Sequence, residues 1–180
     1  MEFIKLFILG LAGYILALLY DLSILHAKYL LQKITFLGFF ITALPYLFLP
    51  FVVSSPFSPV HLLYIIPLLL LCILLLVFSV FLEPIKASKE ETGLYEKGTY
   101  SFSRHPGFLW YTTINCLIAI YFYDIRVTFL VMGFTLCNLL LILIEDRIIF
   151  PRMFDGYEEY KQNTPFLISL DRLLGRRRKR

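Results

Sequence analysis

The chain has 180 residues, 59% of them hydrophobic and 17% aromatic, with a mean hydropathy of +0.76. That is too apolar for a soluble domain and indicates one compact integral membrane unit. The formal charge is +4, and Cys72, Cys116 and Cys137 all lie in apolar runs, so neither a disulfide framework nor a zinc site is indicated and no metal is expected.

Five apolar runs are long enough, or nearly so, to cross a bilayer. The first extends from about Phe3 to Tyr20, with Gly10 and Gly13 offering a close-packing face. No cleavable signal peptide is expected, because Glu2 replaces the usual basic start. A polar connection from Asp21 to Lys33 follows, containing His26 and Lys28. The second run is about Ile34 to Val53, with Pro45 and Pro50 as expected kinks. The uncharged link Ser54-Ser55-Pro56-Phe57-Ser58-Pro59 reads as a turn. The third run, about Leu62 to Leu82, is nearly pure Leu, Ile and Val around Pro67. A long loop from Glu83 to His105 leads to the fourth run, about Pro106 to Tyr123. The turn Asp124-Ile125-Arg126 joins it to the fifth, about Val127 to Ile144, and a polar C-terminal segment completes the chain. The fold class is therefore all-α, integral to the membrane, with about five transmembrane helices and a C-terminal helical hairpin. Two regions are expected, a three-span membrane region over residues 1–83 and a second unit over residues 84–180.

Lysine and arginine placement sets the expected orientation. Fifteen of the seventeen fall in the first loop, the third loop and the C-terminal segment. Only Lys5 and Arg126 fall on the other side. Five spans put the three basic segments on one face, so the N-terminus is expected outside and the C-terminus in the cytosol. The basic run Arg176 to Arg180 is expected to meet anionic lipid at the cytosolic surface. No nucleic-acid partner is expected.

The stretch Gly98-Thr99-Tyr100-Ser101-Phe102-Ser103-Arg104-His105-Pro106-Gly107-Phe108 is a polar segment that runs straight into an apolar helix. Proline suits the first helical position, and the residue before it avoids helical geometry, so His105 should be the last residue outside the helix. A helix N-terminus with a fixed cation and an imidazole attracts carboxylate or phosphate. Arg104 lies 20 residues before Asp124, and Glu145 lies 20 residues after Ile125. At about 1.5 Å per residue both stand roughly 30 Å from the turn, level with each other. Asp146 and Arg147 follow directly. A cation at one helix N-terminus then faces two carboxylates at another helix's C-terminus. That arrangement fits an amino-acid zwitterion, and it equally fits a simple pairing of Glu145 with Arg104 or Arg147. Tyr100, Phe108, Tyr157 and Tyr160 offer aromatic faces for a sulfonium cation, and the same residues suit a membrane interface.

The pattern Gly98-x-Tyr100-x-x-Ser103-Arg104-His105-Pro106-x-Phe108 resembles the hallmark of the isoprenylcysteine carboxyl methyltransferase and phospholipid methyltransferase superfamily. Glu145-Asp146, Tyr157-x-x-Tyr160-Lys161 and Thr164-Pro165 extend the resemblance, which covers about Gly98 to Ile168. It implies a small membrane methyltransferase using S-adenosylmethionine, with residues 84–180 as its core. It also implies a C-terminal segment that covers the cofactor and a hydrophobic or lipid-like methyl acceptor arriving sideways from the bilayer. Carried over, Tyr100, Arg104, His105 and Pro106 would hold the cofactor from one side. Glu145, Asp146, Tyr157 and Tyr160 would close it from the other. Arg104, His105 and Glu145 are the candidate catalytic residues, and Phe108 and Trp110 stand at the substrate entrance. Trp110 occupies a position where the family usually has glycine, and the acidic pair is Glu-Asp rather than Glu-Glu. Met153-Phe154 stands where the family has Phe-Gly. Two other classes remain open, a catalytically idle member of the fold that binds lipid or a membrane partner, and a small transporter subunit.

Overall fold

The computed structural model describes residues 1–54, 58, 59, 61–85 and 94–168. Among these residues the secondary structure is helix and turn, with no strand. Residues 55–57 of the second link, Lys86 and Lys89, Arg172 and the basic run Arg176 to Arg180 lie outside the described residues. Four helices are long and apolar enough to cross a membrane: α1 (Glu2–Leu25), α2 (Tyr29–Val52), α3 (Leu63–Ile85) and α5 (Ile125–Met153). Between the last two lies a shorter apolar helix, α4 (Pro106–Phe122). A short helix α6 (Tyr157–Asn163) follows α5. Large apolar side chains such as Leu63, Leu74, Phe129 and Leu140 are exposed along the helices, as expected where lipid replaces water.

The helix ends depart from the sequence pattern in instructive ways. α1 continues through Leu25, so Asp21 belongs to the helix and not to the connection after it. Ser23 hydrogen-bonds back to the Tyr20 carbonyl at 2.6 Å, and a lone acid does not stop a helix. The connection shrinks to His26–Lys28, closed by Ala27 in the left-handed region (φ 53°). α2 is three helical pieces, Tyr29–Thr35, Leu37–Ile41 and Leu44–Val52. Its second break, at Thr42–Ala43, precedes Pro45, whose missing N–H cannot complete the ladder. α3 is entered through a π-helical turn at His61–Ile65 and widens again at Phe78–Leu82. The link between α4 and α5 is only Tyr123-Asp124. Tyr123 closes α4 at φ 47°, and Asp124 caps α5 by accepting from Arg126 N at 2.7 Å.

α1 packs between α2 and α5, and α4 packs between α5 and α3. α1 and α2 touch backbone to backbone. A Cβ on Gly13 would stand 2.7 Å from Thr42 N, and one on Gly38 would stand 2.7 Å from Ala17 N. Small residues supply the adhesion that a hydrophobic effect cannot provide between helices in lipid. The central ring is Phe134, 1% exposed, stacked on Phe7 at 5.8 Å and flanked by Tyr14 and Tyr46.

A chain of polar groups crosses this core. Tyr46 donates to Asn115 Oδ1 at 2.8 Å, and Asn115 Nδ2 donates to Thr135 Oγ1 at 2.8 Å. Tyr111 joins Tyr14 and Tyr46 through their hydroxyls. Asn138 interacts with Tyr14. Asn115 thus bridges α2, α4 and α5, as a polar residue at membrane depth should. Asn115→Leu is expected to lower stability by about 1–2 kcal/mol. A thermal scan of the purified protein in detergent checks this, and an unchanged midpoint contradicts the bridging role.

Candidate functional site

The stretch that leads into α4 folds as the local chemistry requires. Gly98 opens a tight 3₁₀ turn, Gly98–Ser101, in the left-handed region (φ 57°), where a Cβ would lie 1.7 Å from Glu83 Oε1. That space is used. Glu83, 6% exposed at the end of α3, accepts from Thr99 N at 2.9 Å, from the Thr99 hydroxyl and from Tyr95. Tyr100 donates to the Ser79 carbonyl at 3.0 Å. The π-helical turn of α3 contains Ser79. The loop is therefore tied to α3 at two points.

His105 is the last residue before α4, at φ −127° and ψ 64°, and Pro106 begins the helix. Ser103 orients the junction: its Oγ accepts from His105 N at 3.1 Å and donates to the Phe166 carbonyl at 3.3 Å. Arg104 N donates to the Pro165 carbonyl at 3.0 Å. The segment after α6 therefore lies across the mouth of α4.

The opposing face comes from α5. It is α-helical through Ile144 and then widens into a π-helical turn over Glu145–Ile149. Such turns recur at functional sites, because the extra residue re-aims side chains. Arg104 Nη1 lies 2.8 Å from Asp146 Oδ1, and the two side chains are 8% and 5% exposed. Tyr157 donates to the same oxygen at 2.7 Å. His105 spans the acidic pair, with Nε2 3.5 Å from Asp146 Oδ1 and Nδ1 3.8 Å from Glu145 Oε2. The imidazole stacks on Phe150 at 5.9 Å, and the Phe166 ring lies 5.0 Å away. Phe166 also lies under the Arg104 guanidinium at 5.6 Å. Arg104 Nε is buried without a hydrogen-bond partner.

Burial pushes the hydroxyls of Tyr100, Tyr157 and Tyr160 well up, so all three stay protonated and act as donors. Tyr160 donates to the Tyr100 carbonyl at 2.7 Å. Burial pushes His105 below its ordinary value of 6.5, against an upward pull from Asp146.

Arg104, His105, Glu145, Asp146 and Tyr157 thus meet at one place, and Pro106 begins the helix beside them. Tyr100 and Tyr160 brace the loop, with their hydroxyls committed to backbone carbonyls. Phe108 is buried. Trp110, one turn further along α4, is half-buried, and its Nε1 is buried without a hydrogen-bond partner. The partner of Arg104 is Asp146, not Glu145 or a more distant group.

The sequence reading passed over Phe150, Phe166, Glu83 and Asp21. Asp21 brings α1 into the site: α1 packs on the π-helical turn of α5, and the Asp21 carboxyl interacts directly with that of Glu145. The available signal was an acid within reach of the first apolar run. Residues 1–83 therefore contribute to the site rather than standing apart from it. No family model matches the chain, and neither a curated protein nor a solved structure matches it.

The His105 shift has a sign that can be checked. A folded value below the unfolded one means that the unfolded chain takes up the proton first as pH falls. The stabilising contribution of neutral His105 is complete above 6.5 and is lost as pH drops through 6.5 towards the lower folded value. The thermal midpoint is expected to fall between about pH 7 and about pH 5, and to fall less steeply in His105→Asn. Equal slopes in the two proteins contradict the assignment.

Proposed function

We propose that the chain is a membrane-embedded methyltransferase that uses S-adenosylmethionine and acts on a hydrophobic or lipid-like acceptor. One observation carries the reading. Arg104 and His105, at the N-terminus of α4, meet Glu145 and Asp146, on the π-helical turn of α5, in one buried cluster. Groups of both signs side by side suit an amino-acid zwitterion. The resemblance of Gly98 to Phe108 and of the Glu145-Asp146 and Tyr157-x-x-Tyr160 segments to the isoprenylcysteine carboxyl and phospholipid methyltransferases points the same way.

The residues present fit the cofactor. Arg104 keeps an unpartnered, buried Nε for a carboxylate, and Glu145 lies on the far side of the imidazole for an ammonium. When bound, S-adenosylmethionine supplies an electrophilic methyl group. The chain's own groups orient, exclude water and manage a proton. Phe150, Phe166 and Tyr157 keep water from the charged cluster, which strengthens every polar contact inside it. A carboxylate or thiolate acceptor needs no base. An amine acceptor must lose a proton, and neutral His105 is placed to receive it. Trp110, one turn below Pro106, narrows the sideways approach of the acceptor and favours a slim one.

The proposed topology has five spans, with α4 as the fourth. Its 17 residues reach roughly 26 Å, close to the hydrocarbon thickness of about 30 Å. The N-terminus is outside and the C-terminus cytosolic, following the lysine and arginine asymmetry. The segment from α6 to Ile168 covers the cofactor, and the basic run beyond it binds anionic lipid. A second reading has its own observation. Asp146 already satisfies Arg104, and Phe166 already covers it, as expected of an idle member that binds a lipid or a membrane partner.

Arg104→Lys keeps the charge and loses the planar fork, and Glu145→Gln loses the charge and keeps the shape. Each is expected to weaken S-adenosylmethionine binding at least about tenfold. Calorimetry on the full chain in detergent checks this. Wild-type affinity in both variants, or no binding by the wild type, contradicts the reading.

A further inference from the structure

The Asp21–Glu145 contact is not used by the zwitterion reading as it stands. Asp21 arrives from α1 and Glu145 from the π-helical turn of α5, two elements far apart in sequence that pack on each other. Asp21 Oδ2 is buried and has no hydrogen-bond partner. Among the described residues no lysine or arginine forms an ion pair with either acid; the nearest basic side chain, Arg104, is taken by Asp146. The other group facing the pair is His105. Its side chain is 5% exposed, its Nδ1 stands 3.8 Å from Glu145 Oε2, and its Nε2 has no hydrogen-bond partner. The imidazole therefore divides the cluster into two ends. Asp146, filled by Arg104, lies at Nε2. The two facing carboxyls lie at Nδ1.

We propose that Asp21 is a binding residue of the site and forms, with Glu145, a seat for an alkylammonium group. Two acids held together away from bulk water require a compensating cation or a shared proton. An ammonium is compact and carries three donors, so one group can bond both carboxyls at once. The ammonium is either that of the S-adenosylmethionine zwitterion, an assignment that rests on the methyltransferase reading, or that of an amine acceptor. In the first case the distance across His105 separates the carboxylate end at Arg104 from the ammonium end at Asp21. In the second, the amine is held next to the imidazole that takes its proton.

The test uses the full chain in detergent and calorimetry with S-adenosylmethionine, 5′-methylthioadenosine and octylammonium chloride. 5′-Methylthioadenosine lacks the amino-acid end. Asp21→Asn keeps the shape and is expected to weaken an ammonium ligand at least about tenfold while leaving 5′-methylthioadenosine unchanged. A loss confined to S-adenosylmethionine assigns the seat to the cofactor, and a loss confined to octylammonium assigns it to the acceptor. A wild type that binds octylammonium but not S-adenosylmethionine overturns the cofactor reading and leaves the seat standing. The seat itself is overturned if both ammonium ligands bind Asp21→Asn as they bind the wild type. It is also overturned if 5′-methylthioadenosine is lost in parallel. Should Asp21→Asn fail to fold, the wild type decides: octylammonium must bind where octanol does not, and equal binding overturns the proposal.

Discussion

Asp146 Oδ1 is the atom on which the mouth of the helices depends. Arg104 reaches it from the start of α4, Tyr157 from α6 and His105 from the helix junction. The ion pair lies almost wholly out of solvent. Taking two charges out of water costs several kcal/mol per ion before their attraction is counted. The arrangement persists because the carboxylate has additional donors and the guanidinium has a ring beneath it. Such a pair adds little net stability over a well-packed apolar pair. Its value is geometric: it fixes which residue of α4 faces which residue of α5, and it brings α6 down on both.

From this contact outward, the molecule has two polar layers with different tasks. Deep in the core, hydroxyls and amides from α1, α2, α4 and α5 join Tyr14, Tyr46, Tyr111, Asn115 and Thr135 without any charge. That layer holds the helices in register. At the mouth, charged groups cluster where helix ends and π-helical turns leave backbone groups to be satisfied. The loop before α4 is pinned to α3 through Glu83 and Tyr100. The segment after α6 is pinned to α4 through Ser103 and Arg104. Two otherwise free segments therefore arrive at one fixed place.

Much of this was legible in the sequence, for identifiable reasons. The apolar runs are long, so their existence was clear, and Pro106 fixed the start of α4 because proline permits few alternatives. Counting at 1.5 Å per residue from the α4–α5 turn placed Arg104 level with Glu145 and Asp146, since an antiparallel pair with a short link has little freedom. The identity of the ion-pair partner was not readable. A π-helical turn inserts an extra residue, and no local sequence signal announces it, so Asp146 rather than Glu145 faces Arg104. Asp21 was misplaced because polarity alone was taken to end α1, whereas Ser23 and Asp21 stay helical. Phe150 and Phe166 look like any other aromatic in an aromatic-rich chain, and only tertiary packing singles them out. Glycine 98 is intelligible only once the Glu83 carboxylate is seen filling the space beside it.

The most direct measurement of the central claim is a double-mutant cycle on Arg104 and Asp146. It reads chemical unfolding of the full chain in mixed micelles for Arg104→Met, Asp146→Leu and the double variant. If the buried pair organises the mouth, each single change leaves an uncompensated buried charge and lowers stability by about 3–5 kcal/mol. The double variant then recovers most of that loss, because neither charge remains. Single effects below about 1 kcal/mol that simply add in the double variant are the signature of an exposed, uncoupled pair, and they contradict the account.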